Sequence, residues 1–344
     1  MYNLCFSLGG GCTAMIGSGA VSALGSCAKD LIPGRRLALV TDDGVPQQHV
    51  EKCLGLLRGA SFSAEAVVIA SGETNKNLAA VEGVYSALYE AGFTREDGVA
   101  GLGGGVALDI AGFAAATYLR GLRFISVPTT IIAQVDSAYG GKTGVDFKEG
   151  KNYVGLFSHP KAIVCDSDML LTLPERERVC GMGEVIKYGA IADPSILAQA
   201  GGGIPGEKTV FRCASIKKRF VEADEFDTGV RRVLNFGHTF GHAYEASSGY
   251  SVSHGQAVAY GMLAAIRLGE RLGVTRPGTY TAVYEACEAC GLDTDWESGS
   301  RAALELISKD KKSDGNRIDM VLLERPGRPV RMKLAPEDIR ARMI

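Results

Sequence analysis

The chain has 344 residues, 46% of them hydrophobic and 22% charged, with a formal net charge of −2. That length exceeds the usual reach of one hydrophobic core and predicts two domains. The near-neutral charge speaks against nucleic-acid and membrane-surface partners, which call for an excess of Lys and Arg, and no apolar run approaches the ~20 residues that span a bilayer.

The opening residues, MYNLCFSLGGGC, lack the charged and long apolar regions of a signal peptide. Nine cysteines, an odd number, are scattered from Cys5 to Cys290, and they are expected to be reduced thiols in a cytoplasmic protein. The one CxxC, Cys287 with Cys290, lies on a helix-like pattern and reads as a structural helix face rather than a redox or metal site.

In chain order, RRLALVTDDGV predicts a buried strand ending in a turn, and AEAVVIASGE predicts another. DGVAGLGGGVALDIAGFAAATYLRG reads as strand, glycine loop and helix, LRFISVPTT as a further strand, and GGKTGVDFKEGKN as a Gly-rich loop. Such alternation predicts a parallel sheet with helices packed on it. After Leu170 the β signal fades. ERVCGMGEVIKYGAI, VFRCASIKKRFVEADE, NFGHTFGHAYEAS, GQAVAYGMLAAIRLGERLG and TYTAVYEACEACG all carry helical spacing. QAGGGIPGEKT reads as a loop between them, and RIDMVLLERPG as a short β patch near the end. The expected fold is a Rossmann-like α/β domain with a parallel sheet over residues 1–170, followed by a mainly α-helical domain over residues 171–344.

Three groups of residues carry candidate chemistry. GLGGGVALD places Gly103, Gly104 and Gly105 between a strand and a helix, where backbone N–H groups and the helix dipole suit a phosphate. The earlier LVTDDG adds an Asp just after a strand, where it can bond ribose hydroxyls, so the two features together are compatible with a dinucleotide. Secondly, three of the five histidines, His238, His242 and His254, fall in one short window. As a helical His-x-x-x-His pair, His238 and His242 suit either two metal ligands or one ligand beside one base; Thr239 stands where the zincin signature has its Glu. Zinc also needs a further ligand, and Glu184, with Lys187 one turn on, is available in GMGEVIKYG. The third group is cationic or amide-bearing: Lys142, Lys151, Asn152, Arg231, Asn235, Lys311 and Lys312, suited to a phosphate or carboxylate.

The ordered motifs GE..K, GGG....D..GF.A..Y.RG, VPTT...QVDS..GGKT.V, GKN..G.F..P, L.TLP.RE, GEVIKYG, ADE...G.R..LN.GHT.GHA.E and HG.AVA.GM span roughly residues 40 to 325. Together they resemble the 3-dehydroquinate synthase family of sugar-phosphate cyclases. The resemblance implies a homodimeric lyase that binds NAD and a divalent metal, Zn2+ or Co2+. Its reaction converts 3-deoxy-D-arabino-heptulosonate 7-phosphate to 3-dehydroquinate and phosphate in the shikimate pathway, which leads to chorismate and the aromatic amino acids. The steps are transient oxidation by NAD, β-elimination of phosphate, re-reduction, ring opening and intramolecular aldol closure.

By the same resemblance the metal ligands fall on Glu184, His238 and His254, leaving His242 to bind substrate and assist proton transfer. Substrate positions fall on Asp136, Lys142, Asn152, Lys187, Lys217, Arg231, Asn235 and Lys311, with Arg120 reaching the substrate phosphate of the other subunit. NAD positions fall on Asp42, Glu73, Lys76, Gly103, Gly104, Gly105, Asp109, Thr129, Thr130, Lys142, Lys151 and Thr172. Leu108 stands where the family more often has Gly, which would crowd the helix start near the nicotinamide. Competing readings are another cyclase such as an amino-dehydroquinate synthase, a metal-dependent alcohol or glycerol dehydrogenase, and an inactive scaffold relative.

Overall fold

The computed structural model describes residues 1–148, 150–309 and 317–343. Contacts divide the chain into two units, Met1–Leu173 with Gly206–Phe226, and Pro174–Pro205 with Asp227–Ile344. The first stretch carries β1 (Tyr2–Phe6), β2 (Cys12–Gly17), α1 (Leu24–Leu31), β3 (Arg36–Asp42), α2 (Gln47–Gly59), β4 (Ser63–Ile69), α3 (Leu78–Glu90), β5 (Gly98–Gly103), α4 (Gly105–Thr117), β6 (Arg123–Pro128), β7 (Lys142–Phe147), β8 (Gly150–Phe157) and β9 (Ala162–Asp166). Helices α5 (Glu175–Ile191) and α6 (Pro194–Ala198) follow in the second unit, and α7 (Glu207–Ala223) belongs to the first. The second unit ends with α8 (His238–Ser247), α9 (His254–Arg271), α10 (Thr279–Ala289), α11 (Glu297–Lys309), β10 (Ile318–Arg325), β11 (Arg328–Leu334) and α12 (Pro336–Met343).

Among the described residues the main sheet of the first unit has seven strands in the order β1-β2-β9-β6-β5-β3-β4. Only β1 and β2 pair antiparallel; the remaining neighbours are parallel. The alternation along β3 shows why its sequence is apolar throughout. Leu37 and Leu39 enter one core with Leu24, Leu57 and Val127, while Ala38 and Val40 enter another with Val81, Val84 and Ile110. A parallel sheet covered on both faces needs this continuous apolar run.

From β3 the chain steps outward to β4 and returns to β5 on the other side of β3. This reversal opens a crevice at the carboxyl ends of β3 and β5, where Asp42 and Gly103 are the last strand residues. The crevice is the place a parallel sheet offers a ligand.

Rather than the expected loop, the described residues of GGKTGVDFKEGKN supply β7 and the start of β8, which pair antiparallel from Lys142↔Phe157 onward as a β-hairpin. Its glycines serve close strand approach. A Cβ on Gly144 would lie 2.6 Å from the Val154 carbonyl oxygen, and one on Gly155 would lie 2.4 Å from that of Thr143. The hairpin is fastened to α4, because the Thr143 hydroxyl donates to the Asp109 carbonyl at 2.5 Å.

In the second unit α5, α8 and α9 cross almost backbone to backbone. A Cβ on Gly255 would lie 1.7 Å from the Cys180 carbonyl oxygen, and one on Gly183 would lie 2.3 Å from the Gly255 oxygen. At the other crossing a Cβ on Gly261 would lie 1.9 Å from the Gly237 oxygen. The hairpin β10–β11 is tied to the turn Val230–Asn235 through Asp319, which pairs with Arg232 at 3.2 Å and with Arg331.

Gly255→Ala is expected to destabilise the chain by about 3 kcal/mol or more, because the added methyl meets backbone that cannot turn aside. Chemical denaturation followed by circular dichroism measures this; a change within about 0.5 kcal/mol, the ordinary surface value, contradicts the close-crossing argument.

Candidate functional site

The crossing of α5, α8 and α9 gathers three donor groups. Glu184 lies on α5 and is fully buried, as is Lys187 one turn on, whose Nζ is ion-paired with Glu184 Oε2. His238 is the first residue of α8, entered through Gly237 at a left-handed φ of 81°, and His254 is the first residue of α9. His254 Nε2 lies 3.1 Å and His238 Nε2 3.4 Å from Glu184 Oε1. Ligand atoms of the three residues all fall within 4.8 Å of one another.

Electrostatics keep this buried carboxylate ionised. Burial works against its charge, yet the Lys187 ammonium and the two imidazoles hold the Glu184 pKa well below the usual carboxylate range. Burial also disfavours a charged His254, but the Glu184 and Glu245 carboxylates outweigh it and push that pKa up to about 9 in the metal-free site. The far ring nitrogens are engaged as well. His238 Nδ1 lies 3.2 Å from the Phe236 carbonyl oxygen, and His254 Nδ1 lies 3.3 Å from Glu245 Oε1. A carbonyl only accepts, so His238 Nδ1 carries the proton and Nε2 presents its lone pair. Two imidazoles fixed in this way plus one carboxylate fit a divalent cation of the zinc type, with a position left open.

His242, one turn after His238 on α8, stands outside this donor trio. Its exposed ring makes an edge contact with His238, centroids 5.4 Å apart, and lies 6.5 Å from that of His254. Glu245 was not among the residues singled out from sequence. The signal was present, since it falls two helical turns after His238 and so shares its face.

In the first unit, Gly103–Gly105 lead from β5 into α4. A Cβ on Gly103 would lie 3.2 Å from Asp42 Oδ2, so the aspartate and the loop meet at the strand ends. Cβ atoms on Gly104 and Gly105 would come within 3.1 Å of Thr130 Cγ2 and 3.3 Å of Ser137 Oγ. Among the described residues no side chain caps the first turn of α4. A glycine-lined helix start with uncapped N–H groups is the cradle a pyrophosphate requires. Leu108 does not crowd this mouth: it is buried, and its Cδ2 lies 3.2 Å from the Cβ position of Gly101 within β5.

Lys76 joins the expected cofactor residues to an expected substrate residue. Its Nζ donates to Asp109 Oδ2 at 2.5 Å and to Asn152 Oδ1 at 2.6 Å. Burial opposes the ammonium, but Asp109 more than compensates and lifts its pKa above the usual value. Lys151 Nζ approaches Glu73 Oε1 at 3.9 Å. The Thr129 amide donates to the Gly103 carbonyl at 2.9 Å, and Thr172 Oγ1 lies 2.8 Å from Nε2 of His49, a residue the sequence reading did not select.

The residues expected to hold the substrate anion divide between the units. In the first, Lys217 on α7 donates to the Asp136 carbonyl at 2.9 Å and pairs with its carboxylate, Asp136 being carried on the π-helical turn Ala133–Ser137. Lys142 is exposed at the start of β7, and Arg120 is exposed after α4 at a left-handed φ of 69°. In the second, Arg231 is buried and Asn235 exposed on the turn Val230–Asn235. Lys311 and Lys312 lie outside the described residues.

Residues 66–180 match the family model for the 3-dehydroquinate synthase N-terminal domain, and residues 181–313 match that for the C-terminal domain. The 3-dehydroquinate synthase of Streptococcus sanguinis (strain SK36) is 41% identical over 323 residues, covering 91% of each chain. The fold is similar to that of a 2-deoxy-scyllo-inosose synthase solved with carbaglucose-6-phosphate, NAD+ and Co2+, with TM-score 0.90, 23% identity and 99% of each chain covered. It is also similar to 2-epi-5-epi-valiolone synthase from Streptomyces hygroscopicus subsp. jinggangensis 5008 with NAD+ and Zn2+ bound, with TM-score 0.83, 25% identity and 96% and 94% of the two chains covered. With two matching domain models and this identity over nearly the whole length, the chain belongs to the 3-dehydroquinate synthase family.

Proposed function

We propose that this chain is a 3-dehydroquinate synthase, a phosphorus–oxygen lyase that uses NAD and one divalent metal to turn 3-deoxy-D-arabino-heptulosonate 7-phosphate into 3-dehydroquinate and phosphate. The observation that carries the reading is the buried donor trio Glu184, His238 and His254, with Lys187 holding the carboxylate charged. The glycine-lined start of α4 beside Asp42 supports the NAD part. Both cofactors accompany the solved cyclases of similar fold.

When bound, NAD would take up and return a hydride, and a divalent ion would polarise the substrate oxygen. The protein's own residues have separate tasks. Glu184, His238 and His254 would hold the ion, and Lys187 keeps Glu184 from protonating when the ion is absent. Asp42 would take the ribose hydroxyls, and the N–H groups of Gly104 and Gly105 the pyrophosphate. Lys142, Asn152, Lys217, Arg231 and Asn235 would bind the phosphate and carboxylate of the substrate, with Lys217 aimed by its bond to Asp136. His242, exposed beside His238, would hold substrate and move a proton at its ring nitrogen. Holding the chain of the opened intermediate in one orientation favours the correct aldol closure. The proposal includes a cytoplasmic homodimer in which Arg120 serves the neighbouring subunit; the nine free cysteines fit a reducing compartment.

Supplied with the heptulosonate phosphate, Zn2+ and catalytic NAD, the protein is expected to release phosphate and 3-dehydroquinate in equal amounts. Absence of phosphate release sinks the reading, and stoichiometric NADH points to a dehydrogenase instead. His254→Ala should lose metal and activity together. His242→Ala should retain metal while kcat falls by about 100-fold; a metal-free His242→Ala protein contradicts the assignment. Because metal-free His254 holds its proton up to a pH of about 9, an entering ion must displace that proton at lower pH. Zn2+ affinity, measured by chelator competition, is therefore expected to rise about tenfold per pH unit from neutrality towards pH 9.

A further inference from the structure

We propose that Glu245 is a positioning residue of the metal centre, whose carboxylate holds the Nδ1–H of His254 and aims the Nε2 lone pair of that ring at the ion. The inference rests on the metal reading above and adds a residue to it. Glu245 lies on α8 and is only 5% exposed. Its Oε1 is 3.3 Å from His254 Nδ1, while Nε2 on the other edge of the ring faces Glu184 Oε1 at 3.1 Å. One edge of the imidazole thus meets the donor trio, and the other meets a carboxylate that is not part of it.

The two histidines are supported differently. His238 has the Phe236 carbonyl on its Nδ1, which fixes orientation. His254 has a carboxylate, which fixes orientation and also adds negative charge behind the ring, making it a stronger donor. His254 is the ligand with most need of such support. Its side chain is 34% exposed, against 14% for His238 and none for Glu184, so packing restrains it least. The backbone of Glu245 contributes too: its carbonyl accepts from the Tyr250 amide at 2.8 Å, closing the turn that leads from α8 towards His254.

Competition with a chromophoric chelator should show Zn2+ affinity reduced about 10- to 100-fold in Glu245→Ala. Glu245→Gln, which keeps an acceptor oxygen but loses the charge, should show a smaller loss, and its visible spectrum with Co2+ in place of Zn2+ should shift from that of the unmodified chain. NAD affinity should stay unchanged in both variants, a pattern that general destabilisation does not produce. If Glu245→Ala does not fold, Glu245→Gln carries the test, and Zn2+ affinity equal to that of the unmodified chain overturns the proposal. An unmodified chain that binds neither ion overturns the metal reading itself, and this inference with it.

Discussion

The second unit depends on one constraint, the near contact of backbone with backbone where α9 crosses α5 and α8. At Gly255 there is no room for a single methyl beside the Cys180 carbonyl, and at Gly261 none beside that of Gly237. Helices with ordinary side chains at their contact pack 8–10 Å apart. Removing the side chains from both partners lets the axes come closer, and the residues next to each glycine then face one another at ligand distance. Glu184 follows Gly183, His238 follows Gly237, and His254 precedes Gly255. The donor trio is a product of that spacing.

Such closeness would be costly without charge balance. A carboxylate excluded from water must be paired or neutralised. Glu184 is paired on one oxygen with Lys187 from its own helix and faces two imidazoles with the other. The Glu184–Lys187 pair has the spacing of an ordinary surface ion pair, yet both side chains are buried. Its role is therefore to hold a charge in place, since a pair buried this deeply contributes little net stability. The ring nitrogens turned away from Glu184 are satisfied by Phe236 and Glu245, so the orientation of each imidazole is set on both edges.

The first unit solves a different problem with different means. Its sheet creates a ligand crevice by topology, through the reversal of strand order around β3, and only then lines it with residues. Gly103 sits against Asp42 because β3 and β5 are neighbours that end at the same level. The Lys76 ammonium, buried between Asp109 and Asn152, locks the β7–β8 hairpin to α4, as does the Thr143 hydroxyl.

Much of this was legible in the sequence, because apolar period and glycine placement are local properties. The parallel strands β3 to β6, the glycine loop before α4 and the helical run after Leu170 follow from them directly. The hairpin β7–β8 was not legible: glycines that permit strand approach look the same, one residue at a time, as glycines that loosen a loop. Among the histidines, spacing alone pairs His238 with His242, which share a helix face, and only the motif resemblance separated them. Its place on the His238 face aside, nothing in the sequence pairs Glu245 with His254, because the eight intervening positions cross from one helix to the next. The sequence by itself determined which elements form and which residue types are on hand for a metal and a dinucleotide. Tertiary structure alone decided which nitrogen faces which oxygen, since that is set by how closely three helices cross.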